Sequence, residues 1–535
     1  MILVPGKRTL AVLGLAALLL MAALLALALF QAVVWRSARP TSSPAASLER
    51  GPYASGGYEY VVFWVPCSVA EPQGVAVLMA YPREPRFREG APVVICVPGG
   101  REAGTLPRLS ERFDPHGVIW LYFLLPGGEA GEIRSGGEFD YRGRASVEAL
   151  YAVAQFAEGR LRNTAGKLIS DYVGYNVLVD EVGLYARSNG GNLAGLLFAS
   201  HSTGLEGIKY IVFYESPVGD HYVQGDLGKV KDDPNKGVDA DGDGIPWDDF
   251  RNLMYVEGSC NETSCRIDFT NLDYDPRAGF YLDNNHDGKL TAVSSRGQLT
   301  TDVDGSGALE EDEDFVFRGW EVTYKGRSRV VYSMEVTLAA AKEGLFSKAP
   351  PEVMRPSEAL EFWLERDISY HYDEISANAP WLKVMQLGFT RDHMQAARDH
   401  PHIVVNYNAF KSRGHWVRLN PDKSYIEHVT GRKLKATENA ANIDINFSNI
   451  LKHLLDYPDR GAVGIAAVLE MVDRAHFNNW APNLDAALLK ASSSSCLSCK
   501  SSLASASPVE AAGMVSLKVE GLAALTMTSC WRLIP

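Results

Sequence analysis

The stretch Gly183-Leu-Tyr-Ala-Arg-Ser188-Asn-Gly190-Gly191-Asn-Leu-Ala carries the residue with most chemical promise. An apolar strand runs into Ser188, and small residues lead out of it into a helix. A serine in so sharp a turn needs small residues two places before and after, here Ala186 and Gly190, because larger ones would collide. Such a serine is set for nucleophilic attack on an acyl carbon, given a base for its proton and an acid to orient the base. Two later turns offer them. Phe389-Thr-Arg-Asp392-His-Met-Gln395 follows the apolar run Leu382–Gly388, and Lys411-Ser-Arg-Gly-His415-Trp follows the run Ile403–Tyr407. Both runs read as strands. His393, His402 and His221 compete with His415, and Glu215 or Asp220 could stand in for Asp392.

The Ser188 turn resembles the nucleophile elbow G-x-S-x-G of the α/β-hydrolase superfamily, with Ala186 in place of the first glycine. The resemblance covers about residues 58–218 and 375–460. It implies an α/β-hydrolase fold, in which a mostly parallel sheet is flanked by helices, and a triad of Ser188, Asp392 and His415. Ser188 would attack, His415 shuttle the proton and Asp392 fix its tautomer. The amide of Asn189, at the helix N-terminus, would serve the oxyanion. The loop Val97-Pro-Gly-Gly100-Arg101-Glu102 resembles the H-G-G-type oxyanion motif, with Pro98 where His often stands, so the amides of Gly99, Gly100 and Arg101 are further donors. Ser-Asn-Gly-Gly is similar to turns in polyester depolymerases and feruloyl-type esterases, which favours a carboxylesterase. A prolyl-oligopeptidase-like peptidase shares the same core and is the second reading. A non-catalytic extracellular calcium-binding protein on a hydrolase scaffold is the third. Small-molecule, polyester and peptide substrates all fit.

Three oxygen-rich loops form a second constellation. Asp302-Val-Asp304-Gly-Ser306-Gly307-Ala308-Leu-Glu310-Glu-Asp-Glu313 matches the twelve-residue EF-hand loop. Asp302, Asp304, Ser306, the Ala308 carbonyl, Glu310 and Glu313 would hold Ca2+. A second loop offers Asp283, Asn285, Asp287 and the Lys289 carbonyl, but its twelfth residue is Ser294. A third offers Asp239, Asp241, Asp243 and the Ile245 carbonyl, with Asp248 or Asp249 needed in place of Phe250. Asp-Gly is also a common turn pair, but three such matches close together favour structural calcium.

The elements that position these residues begin with alternating strands and helices. Tyr58–Val65, Gly74–Tyr81, Pro92–Val97, Val118–Leu125, Val182–Ala186 and Ile208–Tyr214 read as strands, and residues 144–161 and Leu193–Ser200 as helices. Alternation of this kind predicts a parallel sheet covered by helices. The predicted organisation is a signal anchor at 1–36, a linker at 37–56, the first part of the core at 57–218, an inserted calcium-loop cap at 219–370, the second part of the core at 371–460, and a helical region with a Ser-rich tail at 461–535. The cap accounts for the long separation of Ser188 from Asp392.

Lys7 and Arg8 precede an apolar run from Leu10 to Trp35, long enough to span a bilayer core of about 30 Å. It predicts a single-pass membrane anchor with the catalytic domain outside the cell, or a secreted protein if the segment is cleaved. Seven cysteines in 535 residues are too few for a disulfide-built scaffold. Cys260 and Cys265 could close a short loop; Cys96 reads as a buried hydrophobe, and Cys496 and Cys499 form a lone CxxC. The net charge of −13, without a basic block, argues against nucleic-acid binding. Ordinary hydrophobic and charged fractions, 46% and 22%, predict a large folded core.

Overall fold

A computed structural model describes residues 49–108, 113–218, 269–295, 298–301, 303, 313–317, 319–390, 401–433, 440–446, 449–457 and 459–483. The predicted anchor, Asp392, the 239–250 loop, most of the 302–313 loop, and Cys260, Cys265, Cys496 and Cys499 lie outside them. Among the described residues, no helix is long and apolar enough to cross a membrane.

Nine strands form one sheet: β1 (Arg50–Ser55), β2 (Tyr58–Val65), β3 (Val75–Pro82), β4 (Ala91–Val97), β5 (Ile119–Phe123), β6 (Val177–Arg187), β7 (Ile208–Tyr214), β8 (Lys383–Leu387) and β9 (Trp416–Leu419). Their spatial order is β1-β2-β3-β5-β4-β6-β7-β8-β9. The first strands pair antiparallel, and everything from β5 through β4 to β9 runs parallel. The parallel strands are continuous apolar runs because both their faces are covered. Side-chain alternation divides them between two layers. On one side, Val93, Ile95, Leu184 and Ala186 pack with α1 (Arg144–Ala157), α2 (Gly190–Ser200) and α3 (Pro401–Ser412). On the other, Val94, Cys96, Tyr185 and Val212 pack with α4 (Lys423–Thr430) and α5 (Arg460–His476). Cys96 is buried, in keeping with the small-hydrophobe reading.

The second layer also holds buried charge. Arg86 Nε lies 2.6 Å from Asp473 Oδ1, and the Tyr425 hydroxyl donates to Asp473 Oδ2 at 2.8 Å. Arg474 Nε donates to Glu470 at 2.8 Å, with all of these groups sealed from solvent. Such pairs cost desolvation, and breaking one partner leaves the other charge stranded; Arg86–Asp473 thereby ties α5 to the segment before β4, whereas Arg474–Glu470 lies within α5.

One element differs from the expectation. The run Ile403–Tyr407 lies inside α3, where Ile403, Val404, Tyr407 and Phe410 are buried at helical spacing. A short β-branched run reads equally well as a strand or as the inner face of a buried helix. With this helix in place, the last strand is Trp416–Leu419, and His415 precedes it.

Between β7 and β8 the chain builds small antiparallel sheets, one of them the hairpin Trp320–Tyr324/Arg327–Val331, and the helices Met334–Lys342, Pro356–Leu364 and Tyr372–Asn378. Phe280, Phe315, Phe317 and Val336 fill one core there, and Trp320, Phe362 and Trp363 another. This region is tied to the Ser188 side of the sheet. Arg366 donates to the carbonyls of Asp140 and Tyr141 at 2.7 and 3.0 Å, and Asn192 in the first turn of α2 accepts from the Ile368 amide at 3.1 Å.

Candidate active site

Ser188 joins β6 to α2 with φ +48°, a left-handed value that a residue with a side chain rarely adopts. The turn is held at both sides: the Ser188 amide donates to the Tyr214 carbonyl at 2.8 Å, and its own carbonyl accepts from the Gly191 amide at 2.9 Å. The spacing of small residues has a direct cause. A Cβ on Gly190 would stand 2.8 Å from the carbonyl oxygens of Val97 and Pro98, and one on Gly191 would stand 2.4 Å from Ser216 Oγ. Ser188 is half-buried.

The loop after β4 lies against this turn. A Cβ on Gly99 would come within 2.7 Å of the Arg187 carbonyl and 3.1 Å of Ser188 Cβ. Arg142, a buried residue at φ +68°, gathers this loop. Its guanidinium donates to the carbonyls of Pro98 at 2.7 Å, Gly99 at 2.7 Å, Gly100 at 3.0 Å and Glu102 at 3.2 Å. The Asn189 side chain donates to the Gly100 carbonyl as well. In a trans peptide the N–H points opposite to the C=O of the same plane. Turning the carbonyls of residues 98, 99 and 100 toward Arg142 therefore turns the amides of Gly99, Gly100 and Arg101 away from it. No motif in the sequence marked Arg142 for this task.

The structure brings Ser188, Asn189, Gly99, Gly100 and Arg101 together, and it does not bring His415 to them. His415 stands before the first residue of β9, at the edge of the sheet where parallel strands begin, whereas Ser188 stands where they end. A five-residue strand separates those edges by about 15 Å. His415 is buried, with Nδ1 2.9 Å from the Leu382 carbonyl and Nε2 2.9 Å from Ser376 Oγ. Burial lowers its pKa, and the charges of Lys383 and Arg413 act the same way against the Leu382 bond. It is a structural histidine.

Among the described residues, His428 in α4, His453 and His476 in α5 follow the last strand, and the His453 backbone lies at the Ser188 edge. Asn420, the first residue after β9, donates to the His453 carbonyl at 2.9 Å and to the Gly388 carbonyl at 3.1 Å. Leu455 donates to that Gly388 carbonyl at 3.1 Å and accepts from the Thr390 amide at 3.1 Å. The segment carrying half-buried His453 thus runs beside Thr390, two residues before Asp392 in the chain. His402, in the first turn of α3, is fully buried. Glu215 is also at this edge. It is fully buried, adopts φ +43°, donates its amide to Leu387 at 3.3 Å and lies 3.4 Å from Arg460 Nη1.

Of the acidic loops, 283–291 is described. Asp283 accepts from the amides of Asp287 at 3.2 Å and Gly288 at 2.9 Å, and Asn285 Oδ1 accepts from Asp287 at 3.0 Å. Asp287 accepts from the Lys289 amide at 3.1 Å and from Thr291 Oγ1 at 3.0 Å. The loop closes on Asp314, a buried carboxylate that accepts from the amides of Asn284 and Thr291 at 3.1 and 2.6 Å. Burial, with Asp283 nearby, holds the Asp314 pKa above its ordinary value. Glu313 accepts from the Val303 amide at 2.5 Å. Among the described residues no three His, Cys, Asp or Glu side chains gather as a metal shell.

The strand order and the β6–α2 turn define an α/β-hydrolase fold. No family model and no curated protein sequence matches the chain. Among solved structures it is similar to esterase B from Lactobacillus rhamnosis, with 17% identity over 37% of this chain and 59% of that one, at a TM-score of 0.21. It is similar to prolyl oligopeptidase B from Galerina marginata, with 14% identity over 31% of this chain and 22% of that one, at 0.22. A fungal esterase from Rhizomucor miehei aligns at 9% identity over 80% of this chain and 87% of that one, at 0.34. The chain therefore spans less than two thirds of the first two proteins. The fold assignment rests on the strand order and the Ser188 turn alone.

Proposed function

We propose that this chain is a serine hydrolase that cleaves carboxylic esters through an acyl-enzyme. The observation that carries this is Ser188, held at φ +48° between β6 and α2 against a loop whose carbonyls Arg142 turns away. Ser188 Oγ attacks the ester carbon as its proton passes to His453. The oxyanion is met by the amide of Asn189 and by amides of the 99–101 loop. The alkoxide leaves with the proton from His453, and water repeats the sequence to free the acid. Asp392, which follows β8 in the sequence, is the proposed acid that orients His453. Glu215 is the alternative, because it is fully buried at the same edge, next to the carbonyl that holds the Ser188 amide.

The proposal extends to the rest of the chain. Residues 10–35 anchor it in a membrane, with the hydrolase domain outside the cell. The loops at 239–250 and 302–313 hold Ca2+ as structural ions that stiffen the insertion. The experiment is labelling with a fluorophosphonate probe. Wild type should react and Ser188→Ala should not, and the labelled wild type should lose its activity on a panel of acyl esters and aminoacyl amides. Equal labelling of both proteins refutes the nucleophile. A reactive protein that turns over only amides replaces the esterase with a peptidase.

A further inference from the structure

On the α5 side of the sheet, a cavity of about 390 Å3 reaches the ends of β4, β5, β6 and β7. Its lining includes Pro98 and Arg187, the chain neighbours of Gly99 and Ser188. A Cβ on Gly99 would stand 3.1 Å from Ser188 Cβ, so the cavity adjoins the two turns that meet at Ser188. Its walls are aromatic: Tyr122, Tyr185 and Tyr214 from the strand ends, with Trp120 beneath them at 1% exposure. On the opposite side, the first turn of α5 presents Gly461 and Ala462, which leave the space unfilled.

Several polar groups around the cavity are engaged with the protein, and the His116 imidazole in its lining has Nδ1 3.5 Å from Asp114 Oδ2. Asp459 accepts from the Ala462 amide at 3.0 Å as the cap of α5. Asp114 accepts from the His116 amide at 2.7 Å, and Trp120 Nε1 donates to the Pro115 carbonyl at 3.1 Å. The Arg187 guanidinium lies 5.2 Å from the centre of the Tyr214 ring. The lining is mostly apolar, and the tyrosine and tryptophan rings are part of it. An apolar cavity of about 150 Å3 already accepts benzene, so one of this size takes a fused or substituted aromatic system. Aromatic walls favour aromatic guests through edge-to-face and offset contacts.

We propose that this cavity is the specificity pocket of the site and holds the aromatic group of a neutral carboxylic ester. This rests on the reading of Ser188 as nucleophile. The aromatic group belongs either to the acyl part or to the alcohol part, and both present the same chemistry to these walls.

The test uses the full-length protein. Ethyl 2-naphthoate carries the ring on the acyl side, 1-naphthylmethyl acetate carries it on the alcohol side, and ethyl hexanoate lacks it. One of the two naphthyl esters should exceed ethyl hexanoate in kcat/KM by at least about tenfold, and which one does so identifies the side. In Ala462→Trp, whose indole fills the cavity, that ratio should fall toward one. A readout that needs no variant is protection: 1-naphthalenemethanol should slow fluorophosphonate labelling of wild-type Ser188, and hexanol at the same concentration should not. Wild type that resists the probe overturns the nucleophile reading and the pocket with it. Wild type that is labelled and hydrolyses esters, yet shows neither naphthyl preference nor protection, overturns the pocket alone.

Discussion

Replacing Arg142 by lysine should slow the chemical step while leaving substrate binding nearly intact. Arg142 places one planar group against four carbonyls between 2.7 and 3.2 Å, in a site where it is 2% exposed. Lysine keeps the charge but is a point donor without the fork, so it cannot reach all four. Each hydrogen bond from a charged group contributes about 1.5–3 kcal/mol. Losing one or two lets the peptides of residues 98–100 rotate, and the amides of Gly99, Gly100 and Arg101 rotate with them. An oxyanion donor lost in this way costs about 10²–10³ in kcat. KM should change little, because these amides meet charge that exists only in the transition state. The assay is steady-state kinetics on an ester together with the rate of fluorophosphonate labelling, at a temperature where melting curves show both proteins folded. A melting point lower by several degrees with kcat per labelled site within about threefold of wild type would refute the positioning role and leave Arg142 a structural residue.

His453→Ala should lower kcat/KM by about 10²–10⁴, the usual contribution of a general base, whereas His415→Ala should retain turnover at low temperature and melt earlier, because it strands the Leu382 carbonyl and Ser376; the same kinetic and melting assays decide both. Glu158 is buried beneath the Gly207 amide, which donates to it at 2.7 Å, and burial pushes its pKa from 4.5 up to about 7. The unfolded chain therefore releases this proton at lower pH than the folded one, and stability falls as pH rises from about 4.5 to 7 and then levels. Glu158→Gln keeps an acceptor for Gly207 and removes that loss, so denaturant melts should show the variant more stable at pH 8 by about 1–3 kcal/mol, the Arg160 charge and solvent offsetting part of the burial cost. A chelator should lower the wild-type melting point, and Glu313→Gln should lose most of that dependence, since only the 302–313 loop ends on a carboxylate at its twelfth residue; no shift with chelator, and no metal by elemental analysis, would leave these loops as acidic turns.

The nucleophile turn was legible in the sequence because its constraint is local. Gly190 must be small where the strand turns into a helix around Ser188, because a Cβ there would meet the Val97 and Pro98 carbonyls, and one on Gly191 would meet the Ser216 side chain. The apolar strands of the sheet were legible for a similar reason, since burial on both faces leaves an unbroken run. The base was not. Ile403-Val-Val-Asn-Tyr407 suits either a strand or the inner face of a helix, and only packing against β8 and β9 decided for helix. That one change moved the last strand past His415 and left it at the wrong edge of the sheet, while His453 came to the edge where Ser188 stands. Arg142 had no local signature at all. Its role depends on a loop some forty residues earlier folding back over it, and a long-range contact of that kind is fixed by tertiary packing rather than by spacing along the chain.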